Sequence, residues 1–225
     1  MASKSKRYTK EVGNVSKEAL GVKAAVDAVK SFSSTKFDQT VELVLHLGID
    51  SKQADQLVRG AISLPNGTGK ARRVVAFCDD ADVEEALKAG AIEAGCDELV
   101  AKVSGGWLDF DVAIASPRVM GKVGKLGRVL GPQGKMPSPK NGTVTQEVVK
   151  AVKDFAAGKV EYRNDAGGNV HVLVGKQSFD AKKLVENIDA FITHIKKIKP
   201  VVAKGTYIKK ISLSATMSPG IAIAV

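Results

Sequence analysis

Aromatic residues make up only 5% of this 225-residue chain. That scarcity argues against a surface built from many stacked bases, because stacking needs aromatic planes. Two cysteines are present, Cys78 and Cys96. Their spacing fits no metal motif and a lone pair is no disulfide framework, so both read as small hydrophobes in a reducing compartment. The histidines are His46, His171 and His194, and no two of them have zinc-ligand spacing. No run of about 20 apolar residues exists, so no segment is expected to span a membrane. The N-terminus, Met1 to Lys10, carries Lys4, Lys6, Arg7 and Lys10 without an apolar core. It is no secretory signal and reads as a flexible basic arm.

Signatures of catalysis are missing as well. There is no nucleophile elbow. The phosphate-loop pattern needs a glycine five residues before a Gly-Lys pair and a hydroxyl residue after it. Gly69-Lys70 has Leu64 and Ala71 at those places, and Gly134-Lys135 has Val129 and Met136. No GxGxxG follows the first apolar strand, so a dinucleotide enzyme in the middle of the chain is poorly supported, although it is the alternative worth screening. Asp79, Asp80, Asp82, Glu84 and Glu85 cluster where a helix should start, and complementing its dipole explains them. The expectation is a protein that is not an enzyme and needs neither metal nor cofactor.

What the chain does have is charge and patterned hydrophobicity. Lys and Arg number 34 against 24 Asp and Glu, a net charge of +10, while 44% of residues are hydrophobic. A packed core is therefore available, and the cationic surplus suits a polyanionic partner.

The periodicity changes along the chain. Val15, Ala19, Val22, Val26 and Val29 step by four and three, predicting a helix over Val15 to Phe32 with Ser16 as its N-cap. From Phe37 to Ile49 the period is two, broken only by Gln39 and Val44. This is a long strand with one buried face, the kind found in antiparallel sheets. A helix is expected over Ser51 to Gly60. Near the other end, Val160 to Arg163 and Val170 to Gly175 flank the turn-forming run 164–169 and predict a hairpin. A helix over Phe179 to Ile198 and a strand over Tyr207 to Met217 follow.

The middle differs. Arg73 to Cys78 is solidly apolar. After it come a predicted helix over Asp82 to Ala94, a strand over Glu98 to Ala101, a short helix at Gly105 to Leu108, a strand over Asp111 to Ala115 and a helix over Thr145 to Ala157. Strand–helix alternation of this kind predicts a small, Rossmann-like parallel sheet between helices. The fold class is thus mixed: a discontinuous α+β domain of residues 1–66 and 159–225, and an inserted α/β domain of residues 67–158. Gly-rich connections at 64–70 and 156–159 would permit hinge motion. Charge follows the same division. Residues 67–158 hold 13 of the basic and 12 of the acidic residues, which leaves 21 and 12 on the split part. The split domain should therefore carry most phosphate contacts.

One stretch inside the insertion is unusual. Val112 to Gln146 has no acidic residue, six basic ones, six glycines and four of the seven prolines. Its core cannot be one regular helix and is expected to be a rigid, irregular basic loop after a short helix. Lys125, Arg128, Lys135 and Lys140 would form a secondary phosphate-facing site there.

That stretch, read as GKLGRVLGPQGKMPSPKNGT over Gly124 to Thr143, resembles the signature of the ribosomal protein L-one family, in its bacterial type. So do DQLVRG at Asp55 to Gly60, LPNGTGK at Leu64 to Lys70, YRND at Tyr162 to Asp165 and TMSPG at Thr216 to Gly220. The match runs in order along nearly the whole chain. The resemblance implies a structural constituent of the large ribosomal subunit whose split domain binds large-subunit rRNA at the mobile stalk. It also implies help in releasing deacylated tRNA from the exit site, repression of the protein's own mRNA, a cytoplasmic setting and a monomer away from the ribosome, with no membrane partner. As RNA-binding residues it implies Phe37, Thr40, Glu42, Asp165, His171, Thr216 and Met217, with Lys36, Arg163 and Ser218 beside them. Ser218 stands where the family usually has glycine, so a backbone needing positive φ there would be strained. Ala166 stands where lysine is common.

Overall fold

The structure is a computed structural model and describes residues 5–16, 18–32 and 35–224. Lys4 of the expected basic arm lies outside them. Helices α1 (Lys6–Gly13) and α2 (Val22–Ser31) precede strands β1 (Thr40–Leu47) and β2 (Arg59–Ser63). Next come β3 (Val74–Phe77), α3 (Val83–Lys88), β4 (Ala91–Gly95), α4 (Asp97–Ser104) and β5 (Val112–Ala115). The short helices α5 (Met120–Val123) and α6 (Gly127–Leu130) lead to α7 (Val148–Ala156). The chain finishes with β6 (Lys159–Arg163), β7 (Asn169–Lys176), α8 (Ala181–Lys197), β8 (Ile208–Ala215) and β9 (Ile221–Ile223). It divides into two compact units, Met1–Gly69 with Val160–Val225, and Lys70–Lys159.

The first unit is built on an antiparallel four-stranded sheet in the order β7-β1-β8-β9. Val41, Leu43, Leu45 and Leu47 of β1 are all buried on one face. Val170, Val172 and Val174 of β7 and Ile211 and Leu213 of β8 join them in one core. Helices α2 and α8 cover that face, α8 through Leu184, Ile188, Phe191 and Ile195. Each such apolar side chain contributes about 1.5–3 kcal/mol on burial. On the opposite face the alternate residues of β1 are only partly buried.

The second unit is a three-stranded parallel sheet, order β4-β3-β5. All four residues of β3 and of β5 are buried, as strands covered on both faces require. Val75, Phe77, Ala113 and Ala115 face a cluster with Leu99, Val103, Val123 and Leu130, while α7 packs on β3 and β5 and touches α3. The two architectures, antiparallel α+β and parallel α/β, are those the periodicity indicates.

Several elements differ from the sequence expectation, each for a local reason. Residues 6–13 of the basic arm are helical, capped by Ser5, whose Oγ accepts the Tyr8 N–H. The helix expected from Val15 starts only at Val22, with Gly21 rather than Ser16 at its N-cap. Before it, Leu20 accepts the Ala224 N–H and donates to Ala222 O, so its backbone pairs with the end of β9. Residues 51–60 make only a 3-10 turn, Ala54–Gln56, before β2 begins. There the Asp50 carboxylate accepts the Lys52 N–H and the Gln56 side chain accepts the Asp50 N–H, competing with helical bonds.

Strands β6 and β7 share the turn but do not form the expected hairpin. β6 pairs with β2 in a separate two-stranded sheet, and a single bridge, Asn164 to Val170, joins the two arms of the turn. In the second unit the helix expected to Ala94 stops at Lys88, because Gly90 has φ +108° and the chain turns into β4. Residues 98–101 are helical, not a strand. Their apolar window is too short to have a period of its own, and Asp97 and Glu98 favour a helix start. No helix forms over Gly105 to Leu108; Trp107 instead packs 5.5 Å from the Phe110 ring. The short helix expected before the Gly/Pro segment is α5, but the segment itself is more helical than expected, since a 3-10 turn and α6 bury Leu126 and Leu130.

Candidate nucleic-acid interface

The open face of the four-stranded sheet follows from strand alternation. Opposite the buried leucines of β1, the partly exposed residues are Thr40, Glu42, Val44 and His46. Register places Glu42 opposite Leu173 and Ser214, Val44 opposite His171 and Ser212, and His46 opposite Asn169 and Lys210. This face is therefore polar and continuous across three strands.

At one end, β1 begins beside the end of β8. The Thr40 N–H donates to Thr216 Oγ1 at 3.1 Å, the Thr216 N–H donates to Thr40 O at 3.1 Å, and Lys176 Nζ donates to Thr40 Oγ1 at 2.8 Å. Phe37, 51% exposed, and Met217, 49% exposed, flank this pair along the chain at the same end, and Leu173, 41% exposed, lies further along the face. Three large apolar side chains thus stand in solvent on and beside a largely polar sheet face, which is uncommon without a partner.

Gln39 explains its own break in the periodicity. Its side chain is fully buried. Oε1 accepts the Met217 N–H at 2.9 Å and Nε2 donates to Gln177 Oε1 at 3.1 Å. A polar residue on the core face thereby fixes the backbone that presents Met217. Ser218 also contributes. Its Oγ accepts the Ala215 N–H at 2.8 Å and its own N–H donates to Ala215 O at 3.0 Å. Among the described residues no non-glycine residue has positive φ, so the strain expected at Ser218 does not arise. Arg7 of α1 donates to Met217 O at 3.0 Å, a contact with no signal in the sequence.

Further along the face, His171 Nδ1 lies 2.9 Å from Glu42 Oε1, and its Nε2 lies 3.9 Å from Asp165 Oδ2. Asp165 organises the turn before β7. Oδ1 accepts the N–H groups of Gly167 and Asn169 at 2.8 and 2.7 Å, and Oδ2 accepts from Asn169 Nδ2 at 3.0 Å. The bond from the Asn169 side chain, followed by its backbone N–H, holds the Asp165 carboxyl below the usual carboxylate range. Asn169 Oδ1 lies 2.8 Å from His46 Nδ1, extending the network to the far end of β1.

The structure thus places Thr40, Glu42 and His171 in one sheet and Phe37, Asp165, Thr216, Met217 and Ser218 in the segments that directly flank its strands, with Lys36 exposed just before Phe37. Arg163 is apart. It is exposed at the end of β6, in the two-stranded sheet. Reasoning from sequence missed Gln39, Lys176, Leu173, Asn169 and Arg7. Only Gln39 left a trace there, as a polar residue at a buried position.

In the second unit, Lys125, Arg128 and Lys140 are exposed. Lys135 is not free to meet a phosphate. It donates to Leu108 O at 2.9 Å and lies 5.2 Å from the Phe110 ring centroid, so it pins the segment to its own core. Among the described residues no group of three His, Cys, Asp or Glu side chains is placed to hold a metal ion. Burial pushes the Cys78 thiol up to about 11, which leaves it protonated and unreactive at neutral pH.

A model of the family described as "Ribosomal protein L1p/L10e family" matches residues 29–219. The protein named "Large ribosomal subunit protein uL1" of Salinispora tropica is 49% identical over 220 residues, covering 97% of this chain and 92% of its own length.

Proposed function

The chain belongs to the ribosomal protein L1p/L10e family, and from that premise we propose that the unit Met1–Gly69 with Val160–Val225 binds large-subunit rRNA at the mobile stalk through the open face of its four-stranded sheet. The family is one of structural ribosomal proteins, not of enzymes, and the chain is a structural constituent of the large subunit. The observation that carries the finer reading is the Thr40–Thr216 pair. Two threonines, 176 positions apart in sequence, are bonded to each other at an exposed edge between Phe37 and Met217.

The chemistry suits RNA. A-form RNA displays 2′-hydroxyls and base edges in a wide, shallow minor groove, which a flat polar surface can meet. Thr40, Thr216 and His171 offer groups that both donate and accept. Glu42 accepts from a 2′-OH or a base amine. Phe37 and Met217 supply apolar contact to a sugar or a base face. Lys36 and Lys176 sit beside them for phosphate. The same surface would serve the two finer roles that belong to this proposal, repression through the protein's own mRNA and assistance to tRNA leaving the exit site. The secondary site at Lys125, Arg128 and Lys140 is retained without Lys135.

The test is filter binding of a transcript of the stalk rRNA at fixed salt. Thr216→Val and Phe37→Ala should each weaken binding by about 1–3 kcal/mol, or roughly 5–150-fold. Unchanged affinity in both variants would reject this face as the binding surface.

A further inference from the structure

The cationic surplus of the first unit does not lie where the polar cluster lies. Around Thr40 and Thr216 the sheet carries acids as well as cations, Asp38 and Glu42 with Lys36 and Lys176; Asp165, which holds the Asn169 N–H opposite His46, belongs to the other end and is bonded within its own turn. The surplus lies at the opposite end. After Asp189 the chain has no acidic residue through position 225, and it has six lysines: Lys196, Lys197, Lys199, Lys204, Lys209 and Lys210.

The fold gathers them. Lys196 and Lys197 occupy the last turn of α8, Lys199 and Lys204 the connection after it, and Lys209 and Lys210 the start of β8. All six are exposed, and among the described residues none is within ion-pair distance of a carboxylate. Lys199 Nζ donates to Gly205 O at 3.4 Å, which shapes the loop and neutralises nothing.

The helix dipole accounts for two lysines at the end of α8. It does not account for the other four. A β-bulge adds to them. His46 pairs with Lys210 while Leu47 pairs with Ile208, so Lys209 has no partner on β1. Tyr207 and Ile208 are then both buried and the two lysines after them both exposed. A regular strand would have sent one of those lysines inward, and the extra residue brings both to the surface.

We propose that this lysine cluster is a second RNA contact, which takes the phosphodiester backbone without regard to sequence; it rests on the reading that the sheet face binds RNA. Thr216 follows Lys210 by six positions, just past the end of β8, about 20 Å along the extended chain. One structured RNA can therefore be read at the Thr216 end and held electrostatically at the lysine end. Specificity and affinity then come from different places on the same unit, as base contacts and phosphate contacts usually do.

The experiment uses the full chain and two RNA probes, the stalk rRNA transcript and a scrambled hairpin of equal length, titrated at several salt concentrations. Each lysine that neutralises a phosphate adds about 0.7–0.9 to the slope of log K against log salt. Replacing Lys196, Lys199, Lys204 and Lys210 together by glutamine should reduce that slope by about 3 and lower affinity at least 10-fold at low salt for both probes. The same four positions as arginine should restore both. Thr216→Val should weaken the stalk transcript alone and leave the slope unchanged. The pair Lys199→Gln with Lys204→Gln, confined to the exposed loop, repeats the test at half the charge should the fourfold variant fold poorly. A wild-type slope in the glutamine variants overturns the lysine contact and spares the sheet face. Failure of the unaltered protein to hold either probe overturns both. Lysine-dependent binding to phosphatidylserine vesicles alongside an unchanged RNA slope would assign the cluster to a lipid surface and overturn it as an RNA contact.

Discussion

The side chain of Gln39 accepts the amide N–H of Met217 at 2.9 Å, from a position where Gln39 has no exposed surface. A residue of the core face thus sets the conformation of a residue on the exposed rim. Gln39→Leu keeps the volume but leaves the Met217 N–H and the Gln177 carboxamide without their partner. The expected loss is about 1–3 kcal/mol in stability, together with weaker RNA binding, although position 39 faces away from any RNA. Urea unfolding and filter binding on the same sample check it. A variant that is destabilised but binds normally would separate the turn from the interface.

Asp165 links stability to pH. Its carboxyl is held below the usual range, chiefly by Asn169, so the folded pKa is depressed relative to the unfolded one. The stability it contributes is complete above the ordinary carboxylate range, near 4, and is lost as pH falls through the depressed value. The stability difference between wild type and Asp165→Asn should therefore be constant from about pH 5 to 7 and shrink below about pH 4. A gap that stays constant down to pH 2 contradicts the assignment.

Gly48 sits where another strand's approach leaves no space. A Cβ there would lie 2.3 Å from the main-chain oxygen of Thr206, and the Gly48 N–H donates to Tyr207 O at 2.7 Å. Gly48→Ala must push two backbones apart. About 1–3 kcal/mol of destabilisation is expected, visible as a lowered midpoint in thermal unfolding. A midpoint equal to wild type would show that the connection after α8 gives way freely.

The two thiols should behave unequally. Cys78 is fully buried with its thiol pushed up to about 11, and Cys96 is only partly buried. At pH 8 a disulfide reagent should modify no more than one thiol in the native protein and both in denaturant. Rapid modification of two in the native state would mean that β3 opens readily.

Much of the fold is legible in the sequence where an element is long. The period-two run of β1 and the apolar stripe of α8 each span several repeats, so one register satisfies them. The errors fall where the window is short or hydrogen bonds are diverted. Residues 98–101 carry too few apolar positions to distinguish helix from strand. Residues 51–60 lose their helix to side-chain bonds from Asp50 and Gln56. β9 is three residues long and is defined by pairing with β8. For the interface, the family resemblance supplied the exposed residues. The buried support at Gln39 and the cross-strand bond of Lys176 depend on pairings 136 or more positions apart in sequence, which no local pattern records.

In β1 the chain meets partners that do not yet exist when it is made. Its neighbours β7 and β8 both follow the second unit, and Asn169 is reached about 120 residues after Leu47. At about 5–20 residues per second a ribosome needs roughly 6–24 s to reach the first of them. Through that interval Val41, Leu43, Leu45 and Leu47 have no sheet to enter, whereas the strands of Lys70–Lys159 pair within their own stretch. Synthesis therefore favours completing the inserted unit first, and the surface proposed to hold RNA is the last part of the protein to take shape.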